Sequence, residues 1–185
     1  MNNNHQCRKW DGLFSGEEIG MMLEFFSKNP TKEAGVLKGS DTVMDTSVRI
    51  TNINFYQRNQ NTNWIFDRLD WVIREINKRY YRFDITSFDN FQYCEYYGTN
   101  GGKYDWHTDS SFGNAGDTTR KLSLSLLLNG DFEGGEFELN WAGNKVGINK
   151  GQLIVFPSVL MHRVKPVQRG TRKSLVVWMQ GPNFR

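Results

Sequence analysis

The chain has 185 residues, of which 38% are apolar and 23% charged, with a formal net charge of +3. That balance fits a soluble globular fold long enough to bury a core, and so small a basic excess, interspersed with acids, argues against a nucleic-acid partner. Two cysteines, Cys7 and Cys94, are too few for a disulfide framework, and no stretch reaches the ~18 apolar residues of a membrane span.

The polar start, Met1 to Lys9, has no apolar segment of the secretory kind, so a cytoplasmic protein without a membrane partner is expected. Ser15-Gly-Glu-Glu18 then reads as a capping box: a hydroxyl at the N-cap and a carboxylate three residues on. Ile19, Met22, Leu23 and Phe26 follow at helical spacing until Asn29-Pro30 stops the segment. Residues 39–51 read as an irregular loop leading into a short strand over 49–56. A second helix is predicted over 62–80, with Ile65, Leu69, Val72, Ile73 and Ile76 along its apolar stripe.

From Phe88 onward the pattern turns to strands. Phe91 to Tyr97 is aromatic and β-prone, with Cys94 as a small core residue, and Gly98-Thr-Asn-Gly-Gly102 breaks it. Residues 121–128 alternate and end on Asn129-Gly130, a hairpin-type turn signal. Residues 135–139 alternate again, 151–156 form a short buried strand closed by Pro157, and 175–179 form the last one. Many short strands without intervening helices predict a mainly β (α+β) domain: a barrel or a double-sheet jelly roll over about 88–182. The two helices support it over about 10–85, all within one domain spanning 1–185.

Chemistry concentrates at His107-Thr-Asp109 and at His162. Strand residues two apart face the same way, so His107 and Asp109 can offer an imidazole nitrogen and a carboxylate oxygen to one ion. His162, just past a buried strand, supplies the second imidazole. Two histidines and a carboxylate leave coordination positions open, as in non-haem iron(II) oxygenases, although zinc also accepts those ligand types. Ten residues further on stands Arg172, whose planar fork would clamp the distal carboxylate of a dicarboxylate held at its other end by the metal. On composition alone, Arg172 reads rather as a surface residue of a basic loop, 169–173.

Taken in order, five blocks resemble the prolyl 4-hydroxylase branch of the 2-oxoglutarate/iron(II) dioxygenases. They are Tyr97-Gly-x-x-Gly-Gly-x-Tyr104-x-x-His107-x-Asp109, Gly134-Gly-Glu136, Gly151-x-Leu-Ile-Val-Phe-Pro157, His162-x-Val164 and Thr171-Arg172-Lys-Ser-Leu-Val-Val-Trp178. The resemblance spans residues 91–180 and implies a double-stranded β-helix, the cupin-like jelly roll. It implies catalytic residues His107, Asp109, His162 and Arg172, with iron(II) held by the first three and 2-oxoglutarate bound by Arg172, Tyr97 and Tyr104. Dioxygen would be the second co-substrate and ascorbate a reductant, with C–H hydroxylation coupled to loss of carbon dioxide and release of succinate.

Three departures accompany the match. Arginine stands where collagen-type relatives place lysine, Leu127 falls where some relatives carry a second co-substrate tyrosine, and the segment between His162 and Arg172 is about one residue longer. The resemblance implies a peptidyl-proline acceptor on a protein or flexible peptide. Arg49, Trp106 and Trp141 are candidates to line the entrance, whereas Trp178 is expected in the core. Residues 39–49 and 110–120 are candidate lids. Two rival readings stay open: the same chemistry on another side chain, a free amino acid or a nucleobase, or a non-catalytic jelly-roll metal-binding module. The oligomeric state stays open too.

Overall fold

Alternation along the strands divides the interior into two compartments, one facing the helices and one enclosed between sheets. The computed structural model describes residues 7–38, 41–110, 117–140 and 146–184. In chain order the elements are β1 (Arg8–Trp10), α1 (Gly16–Ser27), β2 (Lys32–Glu33), β3 (Val36–Lys38), β4 (Asp41–Val43), β5 (Arg49–Ile50), β6 (Asn52–Gln57) and α2 (Asn63–Ile76). Then come β7 (Asn90–Tyr97), β8 (Lys103–His107), β9 (Thr118–Leu127), β10 (Phe132–Gly134), β11 (Phe137–Leu139), β12 (Leu153–Pro157), β13 (His162–Val164) and β14 (Val167–Pro182). The major sheet runs β1-β12-β9-β14-β7-β6-β2, with β10 also paired to β14, and the minor sheet runs β11-β13-β8-β5. Every pairing is antiparallel. Two such sheets face to face are the predicted jelly roll.

The helices start and bury as their sequences direct. The Ser15 hydroxyl accepts from the Glu18 amide at 3.1 Å, and the Glu18 carboxylate accepts from the Ser15 amide at 2.8 Å, completing the capping box. Ile19, Met22 and Phe26 of α1 and the predicted stripe of α2 are buried against the major sheet. There Phe26 stacks on Tyr93 with ring centroids 4.5 Å apart, and Phe66 on Phe88 at 5.1 Å. Burial of each such ring stabilises the fold by roughly 1.5–3 kcal/mol. Beyond α2 the chain winds into a π-helical turn, Asn77–Tyr81, that ends on Arg82 at φ 58. The Asn77 amide holds Phe83 by donating to its carbonyl and accepting from its N–H, both at 2.9 Å. The helical run predicted to residue 80 is therefore present, with its last turn widened.

Two expectations change. Asn129-Gly130 does not join a hairpin, because β9 pairs with β12 and β14 rather than with the next strand. Asn129 is instead buried as a bracket on β14: its amide donates to the Thr171 carbonyl at 2.7 Å and its Oδ1 accepts from the Lys173 N–H at 2.7 Å. The second change is β14 itself, which runs sixteen residues and absorbs the basic stretch 169–173 that composition alone makes a loop. Leu175, Val177 and Met179 of this strand point to the helices. Arg172, Ser174, Val176 and Trp178, in alternation, face the space between the sheets.

Candidate metal centre

His107 and His162 lie directly opposite each other where β8 pairs with β13. Asp109 follows two residues past the end of β8, and its amide donates to the Ser158 carbonyl at 2.9 Å, which curls the chain back toward the strands. One donor atom from each of the three side chains falls within 4.8 Å of the others. Asp109 Oδ1 stands 3.7 Å from His107 Nε2, and Oδ2 stands 3.4 Å from His162 Nε2. The imidazole centroids are 4.2 Å apart. Phe137 and Phe156 pack against His162, and Tyr104 stacks on His107 at 3.5 Å, so neither ring can swing.

Each imidazole has its tautomer set from behind. His107 Nδ1 lies 2.7 Å from the Asp105 carbonyl and His162 Nδ1 lies 2.9 Å from the Leu160 carbonyl. A carbonyl only accepts, so Nδ1 carries the proton and Nε2 presents its lone pair to the centre. Burial, followed by the neighbouring His162, pushes the His107 pKa down to about 4, which keeps that ring neutral. Burial works against the Asp109 charge, but the two imidazoles and the Ser123 hydroxyl outweigh it and hold the carboxyl below its usual range. Ser123 donates to Asp109 Oδ2 at 2.6 Å and is itself 2.9 Å from the Ser158 hydroxyl. A neutral His107 imidazole and a charged Asp109 carboxylate are protonation states that a divalent cation requires of its ligands.

The triad opens into a cavity of about 1130 Å³ between the sheets, shared with Arg172, Tyr96 and Ser174. Arg172 is only 1% exposed. Its Nη1 donates to the Ser174 hydroxyl at 2.9 Å, while its Nη2 is buried without a hydrogen-bond partner among the described residues. Gly135, at φ +64, makes room for it: a Cβ there would lie 3.0 Å from Arg172 Cδ. An orphaned buried guanidinium donor is costly unless a ligand completes it, and a carboxylate is its complement. The residues present thus fit both groups, a divalent metal at the triad and an organic acid reaching Arg172.

The remaining expected site residues divide by strand parity. Tyr104 and Arg49 line the cavity, with the Arg49 guanidinium 4.5 Å from the Tyr104 ring centroid. Tyr97 does not. It faces the other side of β7, where its hydroxyl donates to Glu95 at 2.6 Å. The cavity tyrosine is its neighbour Tyr96, 3% exposed, whose ring centroid lies 5.5 Å from the Arg172 guanidinium. Alternation says only that the two face opposite ways, and both end the same β-prone run before the Gly98 breaker, so no local signal says which one points inward. Trp106 is also turned away, because it alternates with His107, and the Arg163 guanidinium covers its ring at 4.5 Å. Trp178, expected in the core, lines the cavity, with its buried Nε1 beside the Asp109 carboxylate, whose charge it helps to favour. Trp141, residues 39–40 of the first candidate lid and 111–116 of the second lie outside the described residues. The flanks of the second are tied together: the Ser110 and Thr119 hydroxyls are 2.6 Å apart. Cys94 is buried on the cavity side of β7, with its thiol pushed up by desolvation, which suits the core reading.

Comparison with known proteins agrees with this geometry. Residues 91–180 match the model of the 2OG-Fe(II) oxygenase superfamily. A PKHD-type hydroxylase of Idiomarina loihiensis is 33% identical over 105 residues, covering 54% of this chain and 45% of that protein. One from Synechococcus sp. is 37% identical over 84 residues, covering 43% and 37%. The chain thus spans less than half the length of these curated relatives. Among solved structures, a Pseudomonas putida prolyl-4-hydroxylase aligns with a TM-score of 0.76 at 21% identity over 95% of this chain and 93% of that one. A Trichoplax adhaerens prolyl hydroxylase, in complex with a hypoxia inducible factor peptide fragment, aligns with a TM-score of 0.77 at 18% identity over 96% and 84%. Such identities speak for a shared fold. The family match covers both strands of the triad and Arg172, so the segment 91–180 that builds the site is the part of the chain similar to the 2OG-Fe(II) oxygenase superfamily.

Proposed function

We propose that the protein is a 2-oxoglutarate- and iron(II)-dependent dioxygenase that hydroxylates an unactivated C–H, and that its acceptor is a prolyl residue in a protein or peptide. One observation carries the enzymatic part: a partnerless buried guanidinium and a pre-organised two-histidine, one-carboxylate cluster share one cavity. A binding module that only held a metal would have no use for Arg172. The prolyl part is supported by the solved relatives of the same fold, which are named prolyl hydroxylases.

In this reading His107, Asp109 and His162 hold the metal, and Arg172 takes the distal carboxylate of 2-oxoglutarate. When bound, iron(II) with 2-oxoglutarate and dioxygen supplies the oxidation: one oxygen atom goes to succinate, released with carbon dioxide, and the other to the acceptor carbon. The chain's own part is positional. Nδ1 protons on the carbonyls of Asp105 and Leu160 hold both imidazoles in the ligating tautomer. The Ser123 hydroxyl fixes the Asp109 carboxylate plane. Ser174 holds one edge of Arg172 so that the other edge meets the co-substrate. Tyr96, Phe156 and Val164 wall the passage with rings and methyls, excluding water that would weaken the Arg172 contact.

The test is succinate release from 2-oxoglutarate by the iron(II)-loaded protein with ascorbate, with and without proline-containing peptides, read with product mass. Release that rises with such a peptide, together with a peptide gaining one oxygen, is the expected result. Release that is stimulated only by other acceptors would overturn the prolyl assignment, and no release under any condition would overturn the enzymatic one.

A further inference from the structure

Ion pairing sets the cavity arginines apart from most of the other described arginines. Arg58, Arg68, Arg74, Arg79, Arg163 and Arg169, all outside the cavity, each form an ion pair with an aspartate or glutamate. The three that line the cavity, Arg49, Arg120 and Arg172, have no such pair among the described residues. Arg172 is accounted for by the distal carboxylate of 2-oxoglutarate. Arg49 and Arg120 are left over.

Both are placed with care for cations that lack an acid. Arg49 stands on β5 of the minor sheet, braced over the Tyr104 ring, with Nη1 donating to the Gly35 carbonyl at 3.3 Å and Nε buried without a partner. Arg120 stands on β9 of the major sheet, 4.1 Å from the Trp178 ring centroid, with Nη1 3.4 Å from the Asp109 carbonyl. Leu122, Leu124 and Leu126 of β9 point to the helices, so simple alternation would send Arg120 there too. A bulge prevents this. Leu122 pairs with Met179 but Arg120 pairs with Gln180, leaving Lys121 as the extra residue and bringing Arg120 to the cavity side.

The charge balance points the same way. Among the described residues, with a divalent metal and the 2-oxoglutarate dianion in place, three guanidiniums and the metal face one other lining carboxylate, Asp109, besides Glu33 at the exposed rim. One positive charge remains after Glu33 is counted, which suits a single carboxylate better than a phosphate dianion.

We infer that the acceptor carries a carboxylate, received by Arg49 and Arg120 from opposite sheets across the mouth of the metal cavity. The inference rests on the dioxygenase reading and narrows its substrate class. The carboxylate belongs either to an aspartate or glutamate near the target residue in a peptide or to the α-carboxylate of a free amino acid.

The test avoids turnover. A randomised peptide library is passed over the full chain loaded with manganese(II) and 2-oxoglutarate, and bound sequences are compared with the input. Acidic residues should be enriched several-fold, and a retained peptide should bind roughly tenfold more weakly as its Asn or Gln isostere, a difference of about 1.4 kcal/mol. The preference should disappear in the Arg49→Met/Arg120→Met double variant and survive in part in the Arg→Lys pair, which keeps the charges if packing fails in the first. Displacement of bound peptide by free amino acids, but not by their amides, would assign the α-carboxylate source. A bound set without acidic excess, or no bound set together with no retention of free amino acids, overturns the inference. Failure of the dioxygenase reading would show separately, as absence of succinate release by the iron(II)-loaded wild type.

Discussion

The two ends of the cavity are built on opposite plans. At the metal end nearly every polar atom is already satisfied: both imidazoles are anchored through Nδ1, and Asp109 is held by Ser123. At the Arg172 end the guanidinium has one anchored edge and one buried orphan. The first plan fixes ligand atoms that must meet a small ion at set distances, where a misplaced donor is useless. The second leaves a donor open for a ligand that brings its own acceptors and must be able to leave. A site whose metal stays while its co-substrate turns over needs both plans at once.

The sharpest way to break that comparison is at the metal end. Asp109→Ala removes the only charged ligand, so metal affinity should fall by at least ~100-fold and turnover should vanish. The fold should persist, because Ser123 retains the Ser158 hydroxyl and the imidazoles keep their carbonyl anchors. Calorimetric titration with manganese(II), alongside circular dichroism, reads both. Metal binding at wild-type strength would remove Asp109 from the ligand set.

Arg172→Ala probes the other end with a smaller effect. Losing a buried charge-assisted contact to a carboxylate costs about 2–5 kcal/mol, so the 2-oxoglutarate requirement should rise by roughly 30-fold or more. Manganese(II) affinity should change by less than about threefold, since Arg172 touches Ser174 and Tyr96 but no ligand atom. Equal losses in metal and co-substrate affinity would mean that the two ends are not separable.

Much of this was legible before any coordinates. The capping box of α1, the stripe of α2 and the strand-rich second half follow from local periodicity, and periodicity survives folding because each element buries one face. The triad was legible for a different reason: His107 and Asp109 are near in sequence, and His162 follows a strand boundary marked by Pro157. What escaped was parity near irregularities. The Gly98–Asn100 turn hides whether Tyr96 or Tyr97 faces inward, and the bulge at Lys121 reverses the side on which Arg120 emerges. Neither feature has a local signature strong enough to count residues across it. Trp106 and Trp178 were misplaced by the same route, as large aromatics assigned by character rather than by which face of a strand they occupy.

The smallest expected effect bears on that parity directly. Tyr96 and Tyr97 are adjacent, of one residue type and on one strand, so paired Tyr→Phe substitutions isolate the direction of a single hydroxyl. Tyr96 lies on the cavity wall beside Arg172, where a hydrogen bond to a charged carboxylate is worth about 1.5 kcal/mol or more; Tyr96→Phe should therefore raise the 2-oxoglutarate requirement about tenfold. Tyr97 donates to Glu95, which also accepts from Tyr93 and Thr31 on the helix side of β7. Its loss should lower stability by roughly 0.5–1.5 kcal/mol, seen as a drop in denaturation midpoint, without moving co-substrate dependence. If Tyr97→Phe shifts the 2-oxoglutarate requirement and Tyr96→Phe does not, β7 is displaced by one residue against β14, so that Tyr97 rather than Tyr96 stands opposite Arg172 on the cavity side.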